Sequence, residues 1–485
     1  MNDNNESLEQ CKHGHNILKC RDDFEPVEFE LYAPETQENG GNKDQTQFKL
    51  VSGSKCSWIK DDEPFGTEKL RPRIEPWLTA LSQSEHFSVL IGSGLSQAVH
   101  ILANEKPMQG MGSVVFSVLD DKIKSAAERT AKEASRDIAN IEDQFRVANE
   151  ILRGLEHLCP ELTKKNAENY NTKQNLKISI LDNLSRFANA VLDGEKNIVS
   201  SSINQQEKAF NYLMSFLLSF ASRSGTRDRL QIFTTNYDRI IEAGAEIAGL
   251  HLIDRFVGNL APIFRSSRMN IDMHYNPPGM RGEPRYLEGV ARYTKLHGSL
   301  DWVYANREVR RIGLPFGADS IEPYFNAPGF GNANACDLMI YPNSAKDRET
   351  AVYPFVELFR DFAAAICQPN STIVTYGYSF GDEHINRIIE DMLTIPSTHL
   401  VIISKSDTLG RIMKLYNKIG RSAQVTLMIG DHLAELTSLV DNYLPKPAID
   451  RTTFKMTELL NSRYVKSDHS DDAKKKGQEN ELKPD

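Results

Sequence analysis

Several residues able to do chemistry stand just after short apolar runs in this 485-residue chain. Asn236, in Thr234-Thr235-Asn236-Tyr237-Asp238, carries an amide that both donates and accepts, which suits a hydroxyl or a water. Asp238 is placed to bond a neighbouring loop or a helix start, a common use of Asp at such junctions. His297, in Leu296-His297-Gly298-Ser299, sits between small residues and off any helical face. An imidazole titrates near neutrality and can act as a base there. The turn Gly92-Ser93-Gly94-Leu95-Ser96 would let backbone approach a phosphate, with amide donors from the helix start behind it. Ser96 would cap that helix or bond a phosphate oxygen. Gly377 and Ser379 belong to a second such turn, in which Asp382 and Glu383 read as residues favouring the start of the next helix. Taken singly, each motif is also what an ordinary strand-to-helix turn looks like. The first turn lacks both the third glycine of a dinucleotide fingerprint and the Gly-Lys-Ser/Thr of a P-loop.

The elements that position these groups alternate as an α/β fold requires. Phe87–Ile91, Leu230–Phe233, Thr372–Tyr376, His399–Ser404 and Val425–Ile429 are short, rich in Val and Ile, and suited to a parallel sheet buried on both faces. Helix-like segments follow most of them, so βαβ units are expected. Polar groups just after such strands lie at the carboxyl edge of the sheet, where ligands bind in open α/β folds. From about 99 to 225 the chain reads as helices only. Ile138, Ile141, Phe145, Ala148, Ile151, Leu152 and Leu155 make one apolar face, and Phe210–Phe220 a second helix. Residues 1–70 read as a polar extension holding one small hairpin, Val27–Tyr32 with Phe48–Val51. Residues 446–485 read as a C-terminal segment with a disordered tail. The stretch from about 258 to 328 is rich in Gly, Pro and Asn and is expected to cover the site.

The net charge of −9 argues against a dedicated nucleic-acid binder. No run reaches the roughly 18 apolar residues of a membrane span, and the first residues carry no secretory pattern. A cytoplasmic protein is expected. The six cysteines are scattered, which reads as reduced thiols. Cys11, His13, His15 and Cys20 are all of zinc-ligating types, but their spacing fits no common zinc module and reads as incidental.

The ordered set of four motifs, spanning about residues 85–440, resembles the sirtuin family, and more closely its prokaryotic relatives that destroy NAD in anti-phage defence. The resemblance implies a Rossmann-like domain over 71–445, binding NAD between a large module and a smaller one. It implies that Gly92, Ser93, Gly94 and Ser96 face the pyrophosphate, and that Gly377 and Ser379 lie by the adenosine half. Asn236 would orient the nicotinamide ribose and an attacking water, Asp238 would support the nicotinamide side, and His297 would be the general base. Some such relatives form oligomers and assemble with a HerA-type ATPase. The paired Cys-x-x-Cys ligands of protein-deacylating sirtuins are missing, Thr235 stands where those enzymes have Gln, and the first turn is Gly-Ser-Gly where they have Gly-Ala-Gly. NAD hydrolysis, with no metal required, is therefore favoured over deacylation. A nucleotide-binding sensor or assembly subunit, and transfer of ADP-ribose to an acceptor, remain open.

Overall fold

A strand flanked by neighbours on both sides and covered by helices on both faces has to be largely apolar, and the central strands here are. The computed structural model describes residues 14–32, 46–60, 63–108, 112–133, 139, 141–163, 166–223, 227–275, 285–331, 333, 338 and 353–446. Strands β1 (His15–Lys19), β2 (Val27–Leu31), β3 (Gln47–Leu50) and β4 (Phe65–Gly66) precede helix α1 (Thr67–Ser82). Strand β5 (His86–Ile91) leads into α2 (Ser93–Asn104), α3 (Asp120–Glu133), α4 (Ile141–Leu158), α5 (Ala167–Val199) and α6 (Ile203–Ala221). Next come β6 (Leu230–Thr234), α7 (Ile240–Ile247), β7 (His251–Ile253), β8 (Phe256–Val257), β9 (Ile263–Phe264), β10 (His274–Tyr275) and β11 (Arg285–Tyr286). They are followed by β12 (Val290–Lys295), β13 (Trp302–Ala305), β14 (Glu308–Arg311) and α8 (Phe355–Ile366). The last elements are β15 (Ser371–Tyr376), α9 (Glu383–Leu393), β16 (His399–Ser404), α10 (Arg411–Ile419), β17 (Val425–Ile429), α11 (Asp431–Ala434) and α12 (Leu436–Asn442).

Eleven strands form one sheet in the order β4-β3-β2-β1-β17-β16-β15-β5-β6-β12-β7. From β17 to β7 every pairing is parallel. The fold is α/β and Rossmann-like, with the large, mostly parallel sheet its sequence pattern predicts. Its two faces carry separate apolar layers. One holds Leu70, Leu95, Val99, Leu213, Phe216 and Leu439 from the helices. The other holds Leu358, Phe362, Ile385, Ile389, Ile412 and Leu415. All five expected strands are present. β12 was not expected, because Arg292, Thr294 and Lys295 interrupt its apolar run.

Between β5 and β6 only helices occur among the described residues, as the inserted helical stretch requires. α3, α4 and α5 share a core with the region after β12. Phe116, Phe145 and Leu184 of the insertion pack in one cluster with Val303, Ile312 and Phe325. The stretch expected to cover the site thus has its own architecture, a four-stranded sheet in the order β13-β14-β9-β8.

The first 70 residues do more than carry a hairpin. β2 and β3 pair as expected, with Phe29 opposite Leu50. β1 also runs antiparallel to β17, with Ile17 opposite Ile429, so β1 to β4 extend the main sheet. Residues up to 444 form one compact unit, and the C-terminal segment lies outside the described residues from 447 onward.

Candidate active site

The four parallel strands β15, β5, β6 and β12 end in register. Tyr376 pairs with Ile91, Ile91 with Thr234, and Thr234 with Lys295. One or two residues beyond that row stand Gly377, Gly92, Asn236 and His297. Asn236 and His297 are each two residues past paired positions on neighbouring strands, which run about 4.8 Å apart. From β5 the chain moves outward through β6 to β12 and β7. It then returns to lay β15 on the other side of β5 and continues to β16 and β17. The β5–β15 boundary is therefore the topological switch point, where ligands bind in open α/β sheets.

At that boundary two loops touch backbone to backbone. The Gly92 N–H donates to the Tyr376 carbonyl at 3.0 Å, and the Gly94 N–H to the Gly377 carbonyl at 3.1 Å. A Cβ on Gly94 would lie 2.5 Å from the Gly377 Cα, and Gly377 has φ +60°. Only glycine fits at either position. Ser93 is exposed and opens α2, whereas Ser96 is 1% exposed in its first turn. Beside these loops, Gly94, Gln97, Tyr376, Gly377, Ile403 and Lys405 help line a cavity of about 150 Å³. Ser379 is exposed outside it.

Buried Asn236 is held at both ends. Its Nδ2 donates to the Gly92 carbonyl at 3.0 Å and to Ser96 Oγ at 2.9 Å, and its backbone N–H donates to Thr234 Oγ1 at 3.1 Å. With both amide hydrogens engaged, its carbonyl oxygen is left to accept. Ser96 Oγ donates on to Asp238 Oδ2 at 2.7 Å, and Asp238 Oδ1 accepts from the Ile240 N–H at 3.2 Å. Asp238 thus bonds a neighbouring loop and the start of α7 together.

Charged side chains pin this loop from behind. Arg239 pairs with Glu195 of α5, which also accepts the Arg239 backbone N–H at 2.8 Å. The same guanidinium donates to the Leu314 and Pro315 carbonyls beyond the small sheet. One side chain therefore ties the insertion, the Asn236 loop and the chain after β14. Burial pushes the Glu195 carboxyl up, against the pull of Arg239. Lys295, 2% exposed, donates to the Asp238 carbonyl and pairs with Glu242 at 3.0 Å. Burial likewise pushes Glu242 up, with Lys295 opposing it.

His297 is joined to the Asn236 loop through the Leu300 N–H, which donates to the Tyr237 carbonyl at 2.9 Å. Its Nε2 lies 2.8 Å from Asp382 Oδ2, and both side chains are largely buried. Asp382 precedes α9 and its Oδ1 accepts from the His384 N–H at 3.0 Å, as expected of a residue favouring that helix start. Its link to His297 was not legible from the sequence. The two are 85 residues apart, and Asp at a helix start has a sufficient local explanation.

Residues 230–421 match a family model described as a SIR2-like domain. No curated protein matches the chain. The SIR2-like stretch takes in Asn236, Asp238, His297, Gly377 and Ser379, and also Asp382. The turn at 92–96 lies outside it, brought alongside by the pairing of β5 with β6 and β15. No group of three or more His, Cys, Asp or Glu suited to a metal occurs among the described residues. Cys11 and His13 are outside them, His15 is paired with Glu28 at 3.2 Å, and burial pushes the Cys20 thiol up to about 12. No described helix is long and apolar enough to cross a membrane.

Proposed function

We propose that this chain is an NAD hydrolase, cleaving the nicotinamide–ribose bond to release nicotinamide and ADP-ribose. The observation that carries this reading is the row at the carboxyl edge. An oriented amide and an imidazole stand just past the ends of adjacent strands, both within a SIR2-like stretch and next to a glycine-lined switch point.

NAD would lie along that edge. The exposed Ser93 and the start of α2 would face the pyrophosphate, with Gly92 and Gly94 keeping the backbone low. The adenosine half would enter the cavity beside Gly377, and Ser379 would close near it. Cleavage of such a bond passes through a cation-like ribose, and cationic nicotinamide leaves readily. The Asn236 carbonyl oxygen would accept from a ribose hydroxyl or the attacking water, Asp238 would fix that loop, and His297 would take the proton. Binding and orientation by these side chains supply the catalysis, and no metal is invoked.

The proposed setting is cytoplasmic anti-phage defence by NAD depletion, as a homo-oligomer and with a HerA-type ATPase as candidate partner. It rests on the order of the four motifs. A nucleotide-binding subunit without turnover would use the same edge; since the Gly92 and Gly94 amides are already bonded within the protein, either reading draws its phosphate contacts from Ser93 and the rest of the first turn of α2. Transfer of ADP-ribose to an acceptor, or deacylation, would give a modified product instead of free ADP-ribose.

Purified protein incubated with NAD, with and without co-purified partners, is expected to release nicotinamide and free ADP-ribose. Asn236→Ala and His297→Ala are expected to abolish release with the fold intact. Full activity in either variant, or nucleotide binding without release under every condition, would remove the hydrolase reading.

A further inference from the structure

We infer that Asp382 is the positioning residue for His297, and that the two work as a carboxylate–imidazole dyad assembled across the sheet edge. The inference rests on the proposed hydrolase reading for its consequence, and on geometry alone for the pairing.

The carboxylate is fixed before it meets the imidazole. Its Oδ1 accepts from the His384 N–H, which locks the rotamer at the start of α9. A helix start is electropositive and accommodates negative charge. Its Oδ2 is left aimed at His297 Nε2. At 5% side-chain exposure beside 15% for His297, the pair is shielded from competing water. The neighbouring Tyr378 hydroxyl donates to the Asp382 carbonyl at 3.3 Å and to Asn386 Oδ1 at 3.2 Å, bracing the loop that carries Asp382. Each carboxylate oxygen thus has its own partner, Oδ1 the cap and Oδ2 the imidazole, and the second contact exceeds what a helix cap needs.

A carboxylate facing Nε2 selects the tautomer with its proton on Nε2 and leaves the Nδ1 lone pair to act as base. In the reaction, the oxygen of water bonds the anomeric carbon while the ribose–nicotinamide C–N bond breaks, its electron pair moving to the ring nitrogen. A water O–H bond breaks and an Nδ1–H bond forms. Asp382 stabilises the imidazolium through the unbroken Nε2–H bond, and Nδ1 later returns its proton to solvent. The carboxylate itself takes no proton. This places the second half of the dyad on the far side of the switch point, so His297 is oriented only when the β12 and β15 loops are both in place.

Asp382→Asn tests this without removing the helix cap, since Asn also caps helices well. Its amide would face Nε2 as a donor and switch the imidazole to the Nδ1–H tautomer. The kcat for nicotinamide release is expected to fall by about a hundredfold or more, with KM for NAD changed by less than about threefold. In protein with ¹⁵N-labelled histidine, assigned by loss of the signal in His297→Gln, the His297 ring is expected to report Nε2–H in the wild type and Nδ1–H in Asp382→Asn. A kcat within about threefold of wild type, or an unchanged tautomer in the variant, overturns the dyad. If the wild type cleaves no NAD, the hydrolase reading fails and the tautomer measurement alone decides whether the pairing stands.

Discussion

At the β5–β15 end of the sheet edge the loops meet backbone to backbone, whereas at the β6–β12 end they are tied by charged side chains. On the glycine side, Gly94 and Gly377 approach so closely that no Cβ fits, and two backbone hydrogen bonds close the contact. On the Asn–His side, Arg239, Lys295 and Asp382 reach between loops and supply what backbone alone does not. The first arrangement holds a shape and the second holds an orientation. On the proposed reading, a surface lying under a phosphate chain needs the former, and an amide and imidazole acting together on one ribose need the latter.

The two sides should therefore fail differently. The largest effect is expected on the charged side. Arg239→Ala strands Glu195 in the interior and should destabilise the protein by about 3–5 kcal/mol, measured by urea unfolding. Replacing Arg239 and Glu195 together by Met and Leu should recover most of that loss. If the double variant is as unstable as the single one, the pair is not the tie described here. On the glycine side, Gly94→Ala should cost about 1–3 kcal/mol through forced separation of the loops, with no charge to strand. Its hallmark is weakened NAD binding without any change in the pH dependence of stability. Equal stability and affinity in that variant would show that the loops part freely.

The smallest effect lies away from both. Burial holds the His399 imidazole down at about 4, against an ordinary value near 6.5. Below that ordinary value the unfolded chain takes a proton that the folded one refuses until about pH 4. Stability should therefore decline across that window and level off beneath it. Between pH 7.5 and 5.5 this amounts to about 1 kcal/mol. Thermal unfolding of wild type against His399→Gln should isolate it. A parallel pH dependence in the two proteins would mean that His399 does not contribute.

The sequence displays the central strands well, since Val89-Leu90-Ile91 and Val401-Ile402-Ile403 are apolar runs with a single meaning. It also displays the turns after them, because Gly, Asn and Asp at strand ends are informative types. It is silent on partnerships made at a distance. Glu195 lies within a 33-residue helix whose local pattern gives no reason for a buried acid. Asp382 looks like a helix cap and is one. β12 hides because Arg292, Thr294 and Lys295 break its apolar run although the last two are buried, and its neighbours on both flanks make it a strand. The glycines after β5 read as a phosphate approach, yet in the structure their amides serve the β15 loop. Local chemistry can be read from local residues, and pairing across the sheet cannot.

The pairing of β1 with β17 has a consequence for how the molecule comes into being. Leu18 waits for Met428, so the edge formed by β1 has no partner on that side until about 410 further residues have been synthesised. At roughly 5–20 residues per second on the ribosome, that interval is on the order of half a minute or more. Throughout it an unpaired strand edge is open to other nascent chains. The young protein should therefore depend on chaperones from its first strand to its last, and truncations ahead of Val425 should aggregate rather than fold.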